Sequence, residues 1–222
     1  HLNPREAKVQ QFYTYITDKN KSHFTLDDGT KIILNRNSRF TYSDAYGTDQ
    51  RKVNLEGEAY FEVQRDESLP FIVQTNAVDV KVLGTKFNVS SYAKEETKVT
   101  LKEGKVQVDC DAGKESYILH PNEQIVYSEG KGAELLQVDA NRISSWTTGD
   151  LSFVNEPLEH IVKVLERRFN VQIVIEDPEL SSEVFTCHSE DSAGIDQILK
   201  LLQQTRMLKY QRNKNQIIIS NY

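Results

Sequence analysis

The stretch RKVNLEGEAYFEV, Arg51 to Val63, alternates its side chains with a period of two. Val53, Leu55, Ala59, Phe61 and Val63 fall on one face; Asn54, Glu56, Glu58, Tyr60 and Glu62 fall on the other. Such alternation reads as a half-buried strand, with Gly57 at a bulge or close-packed point. Working outward from about Ser22 to Val138, the same period recurs in FTLDDGTKIIL, PFIVQT, VDVKVLG, TKFNVSSY, KVTLKEGKVQV and YILHPNEQIVYS. Turn signals separate these runs at Asp28-Gly29, Asn76, Gly84, Glu103-Gly104, Gly113 and Pro121-Asn122. A weak L-x-x-G echo at Leu26/Gly29 and Leu101/Gly104 is too irregular for a solenoid. The expected fold here is mainly β and antiparallel: a sandwich, a roll or a short irregular β-helix.

Past a polar connector, about Glu129 to Asn141, the period changes. PLEHIVKVLERRF sets Leu158, Ile161, Val162, Leu165 and Phe169 on one helical stripe. Asn155 or Glu156 suits its cap, Pro157 its first turn and Asn170 a left-handed stop. VQIVIED and EVFTCH then read as strands. A second helix opens at Ser192 with Ile195, Ile198, Leu199 and Leu202 on one face, and LKYQRNKNQIIIS closes as a hairpin. With GDLSFVN the order is β-α-β-β-α-β-β, a small α+β domain with two helices on one face of a sheet. The expected parts are residues 1–21, 22–140 and 141–222.

Composition excludes several classes. Of 222 residues 38% are hydrophobic and 27% charged, ordinary for a globular chain. A net charge of −6 has the wrong sign for a nucleic-acid or anionic-membrane surface. No apolar run approaches the ~18 residues that span a bilayer, and the numbering opens on His1, as expected of a piece of a longer protein. Cys110 and Cys187 each share a face with apolar neighbours, Val106 and Val108 for the first and Phe185 for the second; both are expected to be free and buried.

Catalytic and cofactor signals are weak. His1, His23, His120, His160 and His188 have no metal-ligand spacing, and no phosphate loop or nucleophile elbow is present. Asp27-Asp28-Gly29 opens like a calcium loop but lacks the later ligands, so it reads as a hairpin turn. Glu56, Glu58 and Glu62 stand two or four residues apart on a strand, and two-residue neighbours lie about 6.6 Å apart. That spacing matches an inverting glycosidase, yet any strand with a wet acidic face meets it. No enzyme and no cofactor are expected. His160, Lys163 and Arg167 form a basic stripe that suits an acidic partner or a plain wet helix face. Trp146, the lone tryptophan, is an anchor for a partner or a pin between the two parts.

DDGTKIILNRNSRFTY, VNLEGEAYFEV, PFIVQTNAVDVKVLGTKFNVSSY and VTLKEGKVQV together resemble the periplasmic part of FecR-type anti-sigma factors. SWTTGDLSFVNEPLEHIVKVLERRFNVQIVIEDPEL is similar to the C-terminal domain such proteins carry, notably in Bacteroidetes. The resemblance implies a single-pass regulator at the periplasmic face of the inner membrane, with a cytoplasmic domain holding an extracytoplasmic-function sigma factor. Those cytoplasmic and transmembrane parts are not in this sequence. It also implies a partner, the N-terminal signalling domain of a TonB-dependent outer-membrane transporter. Residues 1–21, with REAKVQQFYTYITDKN, would be the juxtamembrane connection. The resemblance makes the C-terminal domain the docking candidate, through His160, Lys163 and Arg167 or through an edge at Lys209, Tyr210, Gln216, Ile217 and Ile219. A glycan-binding or structural β-domain is the alternative; it requires an exposed aromatic platform from Tyr42, Tyr46, Tyr60 and Tyr92.

Overall fold

The computed structural model describes residues 10–48, 50–205 and 208–222. These divide into two compact units: Ser22–Val138 forms the bulk of the first, and Asp139–Tyr222 together with Asp18–Lys21 forms the second.

The described residues of the first unit form thirteen strands. They are β1 (Phe12–Ile16), β2 (Ser22–Thr25), β3 (Lys31–Leu34), β4 (Arg39–Ser43), β5 (Arg51–Glu62), β6 (Phe71–Gln74) and β7 (Val78–Val82). β8 (Lys86–Ser91), β9 (Thr97–Glu103), β10 (Val106–Cys110), β11 (Glu115–Leu119), β12 (Glu123–Ser128) and β13 (Gly132–Gln137) complete it. β5 organises the rest. Its first half pairs with β4 and β6, its second half with β3 and β8, so one strand runs through both halves of a sheet that curls over a single core. One half runs β1-β4-β5-β6-β7-β10-β11, the other β2-β3-β5-β8-β9-β12-β13.

The strand changes hands at Gly57, whose φ is +98° and whose missing Cβ would lie 2.3 Å from Ser38 Oγ and 2.8 Å from Ser38 Cα. Only glycine accepts that conformation without strain. Val53, Leu55, Ala59, Phe61 and Val63 are all buried, as the alternation predicts.

Three features differ from the sequence reading. Tyr60, assigned to the wet face, is only 5% exposed, and the Lys102 ammonium lies 5.8 Å from its ring centre. β5 and β6 pair in parallel, because residues 63–70 carry the chain back before it re-enters the sheet. Phe12–Ile16, inside the segment assigned to a juxtamembrane connection, is a strand paired with β4; residues 1–9 of that segment lie outside the described residues. Cys110 is fully buried beside Val106 and Val108, and burial, then Glu115 and Asp109, push its thiol up to about 11. Cys187 is half-buried and also free.

The second unit runs α1 (Ala140–Ile143), β14 (Leu151–Pro157), α2 (Leu158–Phe169), β15 (Gln172–Ile175), α3 (Pro178–Ser181), β16 (Val184–Ser189), α4 (Ile195–Thr205), β17 (Leu208–Asn213) and β18 (Gln216–Asn221). The expected α+β order is present with two extra turns of helix, α1 ahead of it and α3 within it. The arrangement of two helices on one face of a single sheet is corrected: the strands separate into a β14-β16 ribbon and a β15-β18-β17 sheet. α2 touches β14 and β15, and α4 touches β16 and β17, so each helix meets strands of both sheets across one core. Leu158, Ile161, Val162 and Leu165 face that core from α2, and Ile195, Ile198, Leu199 and Leu202 from α4.

Asn170 ends α2 in the left-handed conformation, φ 52°, as its position predicts. Its start differs: Pro157 is the cap residue rather than first-turn, and Asn155 sits at a bulge in β14 with φ 48°. α4 begins at Ile195, three residues after the expected opening.

Candidate functional site

The acidic row on β5 divides between one carboxylate held in a hydrogen-bond network, Glu58, and two exposed ones, Glu56 and Glu62. Glu56 faces Arg39 at 3.9 Å with both side chains more than half exposed, and Glu62 is exposed. Glu58 accepts from the amides of Asn35 (2.7 Å) and Asn88 (2.9 Å), which tie β3 and β8 to β5. Among the described residues no three His, Cys, Asp or Glu side chains gather to hold a metal.

The four tyrosines of the alternative platform do not come together. Tyr42 and Tyr46 lie 5.6 Å apart, but Tyr60 is buried, the Tyr46 hydroxyl donates to Asp28 and the Tyr92 hydroxyl donates to the Arg36 carbonyl. Trp146 is 9% exposed, so its ring offers little to a partner.

One polar cluster escaped the sequence reading. Among the described residues Arg51 is the bulkiest fully buried side chain, 2% exposed. Its Nη1 donates to Asp28 Oδ2 (2.8 Å) and to the Gln64 carbonyl (2.7 Å), and its Nε donates to the Leu69 carbonyl (2.8 Å). The guanidinium also lies 5.8 Å from the Phe71 ring centre. Asp28 further accepts from the Thr30 N–H and hydroxyl and from Tyr46. Burial alone would raise the Asp28 carboxyl, yet Arg51 and these donors hold it below its ordinary value. Burial, then the Asp28 charge, push the Tyr46 hydroxyl up. The signal was parity: Arg51 is two residues before Val53, on the buried face. The cluster locks the 26–30 turn and the 64–70 connection to β5; it is a structural centre.

The partner-binding candidates lie in the second unit. His160, Lys163 and Arg167 project from α2 and are half-buried. His160 Nδ1 lies 3.0 Å from Glu156 and its Nε2 3.8 Å from Glu159, so acids of its own segment sit beside the stripe. Next to it Arg168, 7% exposed, donates to the Gly149 carbonyl and to the carbonyl and carboxylate of Asp191.

The hairpin candidates divide sharply. β17 is the edge of its sheet; Lys209 is exposed, Tyr210 half-buried, and the Lys209 ammonium lies 5.6 Å from the Tyr222 ring centre. β18 is the central strand, bonded to β15 on one side and β17 on the other. Ile217 and Ile219 are 0% exposed, so they are core residues and not edge contacts, while Gln216 is exposed beside the turn. The apolar run IIIS fills the middle of a sheet because a central strand has no edge to guard.

The comparisons with known proteins agree with this geometry. The model described as "FecR protein" matches residues 13–107, and that described as "FecR, C-terminal" matches residues 150–219. No curated protein matches the chain. A crystal structure from Parabacteroides distasonis, assigned as an anti-sigma factor, superposes with a TM-score of 0.88 at 32% identity, covering 95% of this chain and 99% of that one. A second from the same organism, with the same assignment, gives 0.86 at 31% identity, covering 96% and 100%. Two family models in order along the chain, and a relative matched over nearly its whole length, place this protein in the FecR family of anti-sigma regulators.

Proposed function

We propose that this chain is the periplasmic part of a membrane-anchored anti-sigma regulator. It relays a signal from the N-terminal signalling domain of a TonB-dependent outer-membrane transporter to an extracytoplasmic-function sigma factor held by a cytoplasmic domain. The observation that carries the docking part is the β17 edge. In a hairpin closed by two residues, alternate residues turn their N–H and C=O away from the partner strand. Asn213 pairs with Gln216 across the Lys214-Asn215 turn, so Tyr210 and Arg212 are the residues that face outward. A strand from the transporter domain adds there, as edge strands accept peptides elsewhere. Lys209, exposed on the strand itself, and Arg212 give this edge positive charge that favours an acidic partner surface.

The test places Arg212→Pro in the full-length regulator and reads transcription from a promoter served by the sigma factor. Proline removes an outward N–H and leaves the bonds to β18 intact. One main-chain bond is worth about 1–1.5 kcal/mol, so induction by the transporter's ligand falls roughly tenfold. Expression without the ligand stays at its parent level. Induction equal to that of the parent would remove β17 from the docking surface.

A further inference from the structure

β1 is an unguarded edge. Among the described residues it pairs only with β4, and all five of its residues are exposed. Phe12 is 60% exposed, Tyr13 47%, Tyr15 36% and Ile16 65%. Edge strands usually carry a charge or proline that discourages pairing with another chain. β11, β13, β14 and β17 follow that habit with Glu115, Glu134, Glu156 with Pro157, and Lys209 with Arg212; β2, β15 and β16 carry no such residue, but each buries or half-buries alternate residues, whereas β1 exposes all five. FYTYI carries neither.

We propose that β1 pairs antiparallel with β1 of a second copy of this chain, about a twofold axis at Thr14. Three observations select the second copy. The strand is nearly palindromic about Thr14, so this register sets Phe12 against Ile16 and Tyr13 against Tyr15, apolar against apolar on one face and aromatic against aromatic on the other. The backbone agrees with the same centre: Thr17 N–H donates to Ser38 and the Gln11 carbonyl accepts from Asp44, so odd residues turn toward β4. Phe12, Thr14 and Ile16 therefore turn their N–H and C=O to the open side, and Thr14 faces its own copy as a hydrogen-bonded pair. No side chain in the strand is charged, so homotypic pairing sets no like charges opposite one another.

Area sets the strength. With roughly 150–250 Å² for a whole aromatic side chain, the exposed parts of these four residues come to about 400 Å² per copy. The total of about 800 Å² falls below the ~1,200 Å² of a stable complex, so the dimer is weak and transient. Each copy carries a net −6, so screening by salt strengthens the association, whereas a partner held by opposite charges would weaken.

The experiment combines sedimentation equilibrium with cysteine cross-linking of the whole chain. A hydrogen-bonded antiparallel pair holds its Cα atoms about 5.5 Å apart, within disulfide range. Thr14→Cys is expected to give a disulfide dimer at least tenfold faster than Gln10→Cys, which faces Asp18 of the other copy. The parent, with its free Cys110 and Cys187, sets the background. Phe12→Lys/Ile16→Lys brings lysine against lysine and is expected to be monomeric with an unchanged thermal transition, since both residues are exposed. A parent that stays monomeric up to about 1 mM overturns the proposal, as does equal cross-linking of Thr14→Cys and Gln10→Cys. So does a lysine variant that associates as strongly as the parent.

Discussion

Gly57→Val is expected to destabilise the first unit by about 3–5 kcal/mol, the sum of a left-handed backbone penalty and a steric clash. The glycine holds φ at +98°, and a Cβ there would press on the backbone of Ser38, not only on its side chain. Ser38 cannot retreat: its Oγ accepts from the Glu58 N–H, its own N–H donates to Thr17 Oγ1, and it is 4% exposed. At about 2–4 °C per kcal/mol for a chain of this size, the melting temperature falls by about 6–20 °C. Gly57→Ala loses somewhat less, because it lacks the β-branch. Differential scanning calorimetry reads both, and a melting temperature for Gly57→Val within about 2 °C of the parent would show that the bend in β5 does not depend on glycine.

Arg51→Met is the second large effect. It removes the cation that Asp28 is buried against and strands the carbonyls of Gln64 and Leu69. Breaking one partner of a buried pair costs about 3–5 kcal/mol, because a charge is left without compensation. Arg51→Met/Asp28→Asn is expected to recover part of that loss.

The pair also sets an acid limit. Asp28 titrates below its ordinary 3.8 in the folded chain, so its contribution is fully present above that value. It fades as the pH drops through the lower folded value, where the unfolded chain already binds the proton. Asp28→Asn is therefore expected to flatten the loss of stability below about pH 4, measured by urea unfolding at a series of pH values. A double variant no more stable than Arg51→Met would break the assigned coupling.

Periodicity made the core legible because it depends on which face a residue occupies. Val53 to Val63 and the α2 and α4 stripes required only that alternation or a 3.6-residue turn meet one core. Pairing was less legible. Gly84 and Gly104 mark turns, yet β7 and β8, and likewise β9 and β10, leave those turns for opposite halves of the curled sheet. A turn signal fixes where a strand stops and not which neighbour it meets. The second unit shows the same limit, since local pattern yields five strands but not their division into a ribbon and a sheet.

At the candidate site, the edge was legible at Lys209 and Tyr210 and misassigned at Ile217 and Ile219. A run of isoleucines suits an exposed docking strand and a central one equally by composition; only the parallel partner β15 decides. Arg51 was overlooked as a charge although its parity placed it inside.

The most direct test of the relay is calorimetric titration of the whole chain with the signalling domain of the neighbouring TonB-dependent transporter, with amide exchange followed in the same mixture. The account predicts saturable binding at micromolar concentration, with slowed exchange at Tyr210 and Arg212. No heat at high micromolar concentration, from a chain that shows its native unfolding transition, would contradict it.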